Sequence, residues 1–172
     1  MNNLIYIFQL LGWVLLQGII LSNINLFGYV NPALYLLFFM TFPFFENKTP
    51  LLILAVLAGL IIDILSHTGG VYTCATLCVV FLRPILVRLF FGQTFDEQFI
   101  NLRQVSLTLR ILYIFSFVLI FHLIFSILET FQWQLWLFSL HKTLINVLFS
   151  GVVCLLVEQI IGNPKRKEES YR

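Results

Sequence analysis

Three charged side chains stand within apolar stretches and are the first candidates for chemistry: Asp63, Arg83 and Lys142. A charge at the centre of a bilayer costs about 2.5–3.5 kcal/mol on insertion scales, so such a residue usually faces protein or water and has a partner. In the topology deduced below, Asp63 and Lys142 both lie in the outer half of the membrane, and we expect them to form an ion pair. Arg83 lies deeper. Its expected partners are backbone carbonyls freed by Pro84, or lipid phosphates.

Asp63 belongs to a helical face that recurs every four residues. Ala55, Gly59, Asp63 and His67 share this face, which is small at one end and polar at the other. Such a face lets a neighbouring membrane helix approach closely and presents hydrogen-bonding groups to it. We interpret it as a packing and pairing motif inside a helix bundle. The alternative is a functional surface for a partner protein or a ligand.

The histidines give no pattern for a metal or catalytic site. His67, His122 and His141 have no spacing of the H-x-x-x-H kind. A proton relay through Asp63, His122 and Lys142 is chemically possible, but the sequence has no acidic pair and no interrupted helix of the transporter type. It also offers no nucleophile–base pairing and no phosphate-binding loop. We therefore predict a protein without enzymatic activity, cofactor or metal.

The composition indicates a polytopic membrane protein. Of the 172 residues, 60% are hydrophobic and 10% are charged, and the mean hydropathy is +0.97. An ordinary soluble domain carries about 25% charged residues, and no soluble core could hold this excess of apolar ones. The formal net charge of +2 is too small to indicate nucleic-acid binding.

Apolar runs and polar breaks predict an all-α integral membrane fold, with six transmembrane helices in one bundle. The predicted spans are 4–21, 32–45, 51–66, 71–91, 107–128 and 133–161, followed by a short charged tail at 162–172. The second span is short, about 14 residues against the roughly 20 that a full crossing needs. We expect it to be tilted, kinked at Pro43, or placed where the bilayer is locally thin.

The basic residues predict the orientation of the bundle. With six spans both termini lie on one side, and eight Lys and Arg residues fall in or near segments on that side: Lys48, Arg88, Arg103, Arg110, Lys165, Arg166, Lys167 and Arg172. The loops on the opposite side contain neither Lys nor Arg. By the positive-inside rule, both termini are predicted to be cytoplasmic.

Polar side chains form stripes on the first and sixth spans. On the first span, Gln9, Trp13 and Gln17 recur every four residues, and we expect this face to turn into the bundle. The stripe on the sixth span consists of Lys142, Asn146, Ser150, Cys154 and Glu158. Because four residues turn about 400°, this stripe drifts by about 40° per step, but it can follow neighbouring helices that cross at a slight angle.

Four stretches resemble the MreD family of bacterial rod shape-determining proteins. They are N-I-N-L-F-G-Y-V-N-P at 23–32, G-L-I-I-D at 59–63, H-T-G-G at 67–70 and F-L-R-P at 81–84. Chain length and the single hydrophobic domain agree with that family, so the resemblance covers nearly the whole chain. Asp63 and Arg83 both fall within the similar motifs.

The resemblance implies a non-enzymatic scaffold subunit of the cell-wall elongation complex in the bacterial inner membrane, where it binds the bitopic protein MreC and helps to maintain rod shape. The implied assembly includes a RodA-like glycosyltransferase and its transpeptidase, and it reaches the filament protein MreB indirectly or through cytoplasmic loops. Membrane lipids are the other expected partners. In this hypothesis the Ala55, Gly59 and Asp63 face supplies the contact with MreC.

The resemblance also implies a fold similar to the substrate-binding S-components of energy-coupling-factor transporters. This leaves an alternative function: a small-molecule or lipid-binding subunit of such a transporter. Arg83, the glutamines of the first span and the stripe of the sixth would then line a pocket. The S-components dock their coupling protein through paired alanines on the first helix, and residues 4–21 contain no alanine.

Overall fold

The computed structural model describes residues 3–21, 31–42, 49–92, 102, 105–130 and 136–161, and the regular structure within these ranges is helical. The helices are α1 (Asn3–Leu15), which continues into a π-helical turn (Leu16–Leu21), α2 (Leu36–Thr41), α3 (Thr49–Ser66), α4 (Val71–Phe91), α5 (Leu107–Glu129) and α6 (Trp136–Ile161). The predicted tail at 162–172 and the predicted kink at Pro43 lie outside the described residues.

Four of the described helices are long and apolar enough to cross a membrane. They are Thr49–Ser66, Val71–Phe91, Leu107–Glu129 and, within α6, Ser139–Ile160. The bounds of the full helices α3 to α6 lie within three residues of the third to sixth predicted spans. Large apolar side chains stay exposed on their outer faces, for example Ile64 at 70% and Leu89 at 71%. Such surfaces are typical of helices that meet lipid, and the part of the chain that the structure describes is that of a helical membrane protein.

The predicted second span takes a different form from the others. α2 has six residues and is therefore only about 9 Å long, whereas the hydrocarbon core of a bilayer is about 30 Å thick. Each of its residues from Leu36 to Met40 is at most 5% exposed. Its last residue, Thr41, is exposed. Because the first five residues are buried around the whole circumference of the helix, α2 lies among protein except at its C-terminal end.

The segment that contains α2, residues 31–42, is called the central segment here. Its Asn31 side chain donates to the hydroxyl of Tyr72, at the start of α4, and its Phe42 carbonyl accepts from Arg83, further along α4. The central segment therefore runs in the same direction as α4. From Tyr72 to Arg83 the axis of α4 advances about 16 Å, so the central segment extends through roughly half of the hydrocarbon core.

The other helices alternate in direction around the central segment. Gly18 contacts Leu65, so the end of the π-helical turn lies beside the end of α3. α5 and α6 are antiparallel, because Ser126 bonds Ser139 at one end while Arg110 pairs with Glu158 at the other. The directions of α1, the central segment, α3, α4, α5 and α6 thus alternate along the chain.

Gly59 sets the distance between α3 and α4. A Cβ atom on Gly59 would overlap the backbone of Thr73, with the Thr73 nitrogen at 2.9 Å and its Oγ1 at 3.1 Å. Ala55, one turn earlier, is fully buried. The two helices approach so closely that only glycine fits, as in small-residue packing between membrane helices. This geometry agrees with the packing interpretation of the Ala55–Gly59–Asp63 face.

Gly59→Ala should therefore force α3 away from α4. We expect the free energy of unfolding to fall by about 1–3 kcal/mol, the usual cost of overpacking, measured as a lower thermal midpoint of the purified protein in detergent. Gly12→Ala in α1 is the matched control, since a Cβ there meets nothing within 4 Å. Alanine favours a helix over glycine by up to about 1 kcal/mol, so the control should match the wild type or exceed it. Equal midpoints for the two variants would contradict the close approach.

Candidate functional site

Residues 31–34, at the start of the central segment, are not helical, yet each of their backbone N–H groups is hydrogen-bonded. Pro32 has no N–H, and the other three donate to side chains of the surrounding helices: Asn31 to Asn146 Oδ1 at 2.7 Å, Ala33 to Ser150 Oγ at 3.2 Å and Leu34 to Gln17 Oε1 at 3.0 Å. Non-helical backbone is tolerated at membrane depth only where protein or water satisfies it. Gln17 follows α1, and Asn146 and Ser150 belong to α6. Two helices distant in sequence therefore hold this backbone.

Side chains extend this network to α4. The Asn31 side chain donates to Tyr72 Oη at 2.7 Å and accepts from Gln17 Nε2 at 3.3 Å. One turn further along the central segment, the hydroxyl groups of Tyr35 and Thr76 are 2.6 Å apart. Buried hydroxyl and amide groups need partners because they have left water, and here they find them on neighbouring elements. The network consequently links the π-helical turn, the central segment and α4.

Arg83 binds the other end of the central segment. Its Nη2 donates to the carbonyl oxygens of Met40 at 3.2 Å and Phe42 at 2.5 Å, and the Tyr113 hydroxyl donates to Met40 as well, at 3.4 Å. Carbonyls at a helix C-terminus have no donor within the helix, and they carry partial negative charge. A guanidinium supplies both a hydrogen-bond donor and a positive charge. The sequence predicts carbonyls freed by Pro84 as partners, whereas the two carbonyls that bind Nη2 belong to the end of α2. Because Arg83 is fully buried, the alternative of lipid phosphates is wrong.

Asp63 uses its carboxylate to cap α4. Oδ1 accepts from Thr68 Oγ1 at 2.5 Å and from the Tyr72 N–H at 3.0 Å, while Oδ2 accepts from the N–H and the hydroxyl of Thr73 at 2.8 and 2.6 Å. The first N–H groups of a helix have no helical acceptor and favour negative charge. Gly70, the N-cap residue of α4, has no side chain that could supply it. A carboxylate from the preceding helix takes that role.

The turn between α3 and α4 has the backbone geometry that this capping requires. His67 adopts a positive φ of 54°, and the Thr68 N–H bonds back to the Asp63 carbonyl at 3.2 Å. This is the arrangement of a Schellman motif, in which a left-handed residue ends the helix. Gly69 and Gly70 follow with φ of 65° and 102°, which glycine adopts without steric cost. Asp63 therefore closes α3 through its backbone and opens α4 through its side chain.

The predicted ion pair between Asp63 and Lys142 is wrong. Lys142 Nζ contacts both carboxylate oxygens of Glu129, at 2.9 and 2.8 Å, across the turn between α5 and α6. Both of these side chains are partly exposed, at 32% and 44%. Asp63 already has four donors and needs no cation. Glu129 ends α5 and Lys142 lies near the start of α6, so the hairpin itself brings them together.

The polar stripe of α6 faces the central segment only in its middle part. Asn146 and Ser150 bind backbone N–H groups there, and Cys154 Sγ lies 3.9 Å from the Ala33 carbonyl. Glu158 pairs instead with Arg110 of α5 at 3.2 Å. The drift of the stripe explains the division, because each step of four residues rotates the side chain further toward α5.

The glutamine stripe of the first span divides in a similar way. Gln17 is fully buried and bonded to the central segment, which confirms its predicted inward direction. Trp13 is partly buried. Gln9, a further turn toward the N-terminus, is exposed, so the prediction is wrong for this residue.

One pair that sequence reasoning missed has the geometry of a nucleophile and its base: His122 Nε2 lies 3.0 Å from Ser150 Oγ. The two residues belong to separate helices, α5 and α6, so no short sequence motif contains both of them and none predicts the pair. Ser150 is 1% exposed and already accepts from Ala33, so its oxygen faces the central segment. The contact holds the segment in place. Within the described ranges, no three His, Cys, Asp or Glu side chains come together as metal ligands could.

Comparisons of this chain with protein-family models, with curated proteins and with solved structures find no match. The site geometry and the sequence are thus the observations that bear on function.

Because Asp63 and Lys142 have different partners, substitutions at the two positions should affect the free energy of unfolding independently. Asp63→Asn should lower the free energy of unfolding by about 1–3 kcal/mol, because one of the two accepting oxygens becomes an NH₂ group that faces other hydrogen-bond donors. Lys142→Met should cost about 0–1 kcal/mol, as for other exposed ion pairs. The two effects should add to within about 0.5 kcal/mol in the double variant, because the residues share no partner. The coupling energy is measured by chemical unfolding of the wild type, the two single variants and the double variant in the same detergent. A value well above about 0.5 kcal/mol would show that Asp63 and Lys142 interact and would contradict the partners described here.

The contacts of Arg83 predict that substituting it lowers stability more than substituting Arg88. Arg83→Lys keeps the charge, but its ammonium is one bond closer to the backbone than the Nη2 that donates to two carbonyls. We therefore expect the free energy of unfolding to fall by about 1.5–3 kcal/mol. Arg88→Lys, at an exposed position near the end of the same helix, should change it by less than about 0.5 kcal/mol. Thermal unfolding followed by intrinsic fluorescence would compare them. Similar losses in both variants would contradict a specific role for Arg83 at the end of α2.

Proposed function

We propose that this chain is a non-enzymatic scaffold subunit of the bacterial cell-wall elongation complex, which binds an MreC-like bitopic membrane protein and helps to maintain rod shape. One observation carries the proposal beyond the sequence resemblance. The side chains that could do chemistry bind the chain's own elements: Asp63 caps α4, Arg83 binds the end of α2, and Ser150 with His122 binds the start of the central segment. Polar groups used in this way stabilise fixed helix faces, which is what a scaffold needs.

The same proposal places the protein in the bacterial inner membrane as a six-pass bundle with both termini in the cytoplasm. The alternating directions of α1, the central segment and α3 to α6 support an even number of passes. The basic residues of the sequence support a cytoplasmic location for both ends. In this proposal the second pass is the central segment, which combines extended backbone with the short α2. The proposed fold remains similar to that of an S-component.

The contact with the bitopic partner is proposed to lie on an outer, lipid-facing surface. Ala55, Gly59 and Asp63 are buried within the chain, and Gly59 faces Thr73 of α4. A partner could reach that face only by displacing α4. Further members of the proposed assembly are a RodA-like glycosyltransferase with its transpeptidase, and MreB indirectly or through cytoplasmic loops. Lipids surround the bundle.

The transporter alternative receives less support from the geometry. Its proposed pocket uses Arg83, Gln17 and Asn146, and all three contact the backbone of the central segment. A ligand at these groups would have to replace several hydrogen bonds inside a low-dielectric interior, where each unbonded group is costly. The scaffold proposal requires no such displacement.

Co-purification distinguishes the two functions. The tagged chain is co-expressed with the MreC-like bitopic protein of the same organism, solubilised in a mild detergent, and analysed for proteins and small molecules by mass spectrometry. We expect the bitopic protein to co-elute in constant proportion, because fixed helix faces form a stable contact. A tagged, unrelated polytopic protein is the control. Recovery of ATPase coupling subunits, or of one enriched small molecule without the bitopic protein, would contradict the scaffold function.

A further inference from the structure

We draw no further inference here: the strongest candidate, the buried pair of His122 and Ser150 between α5 and α6, belongs to the contacts that hold the start of the central segment and so to the site already described.

Discussion

The constraint on which this structure depends is that backbone inside a membrane must be hydrogen-bonded. Four helices satisfy it locally, because beyond the first turn each N–H donates to a carbonyl one turn earlier in the same helix. The central segment does not, since only six of its residues are helical. Three of its other N–H groups are bonded by Gln17, Asn146 and Ser150 at one end, and the carbonyls of Met40 and Phe42 are bonded by Arg83 at the other. These side chains come from three different parts of the chain, so bonding one segment positions several helices at once.

The α3–α4 hairpin meets the same constraint by local means. Asp63 accepts from the first N–H groups of α4 and from the turn that precedes it, and Gly59 brings the two helices close enough for this contact. All of these residues lie within fifteen positions of one another. The polar contacts of the hairpin lie within the hairpin itself, whereas those of the central segment come from the π-helical turn, α4 and α6. Polar contacts between neighbouring residues thus stabilise the hairpin, and polar contacts between distant residues stabilise the central segment.

How far the sequence predicts this structure depends on the range of each interaction. The bounds of α3 to α6 follow from apolar length and polar breaks, and the polar status of Asp63 and Arg83 follows from their apolar surroundings. The partners do not follow, because they depend on which helices meet and at what register. Shared depth and the need of each charge for a partner predict the Asp63–Lys142 pair, but depth does not specify which helices are neighbours. The short α2 escaped prediction because a buried helix and a membrane span have the same apolar composition. Gln9 was assigned inward because a four-residue period hides the drift that separates it from Gln17.

The central claim is that polar side chains of the surrounding helices hold the backbone of residues 31–42 inside the bundle. Hydrogen–deuterium exchange of the protein in lipid nanodiscs tests it most directly, with peptides that cover 31–42 compared with peptides from α4. The account predicts protection of this segment close to that of α4, and a selective loss of protection at 31–34 in a Gln17→Leu, Asn146→Leu double variant. Rapid exchange of 31–42 in the wild-type protein, at the rate of an unprotected peptide, would contradict it.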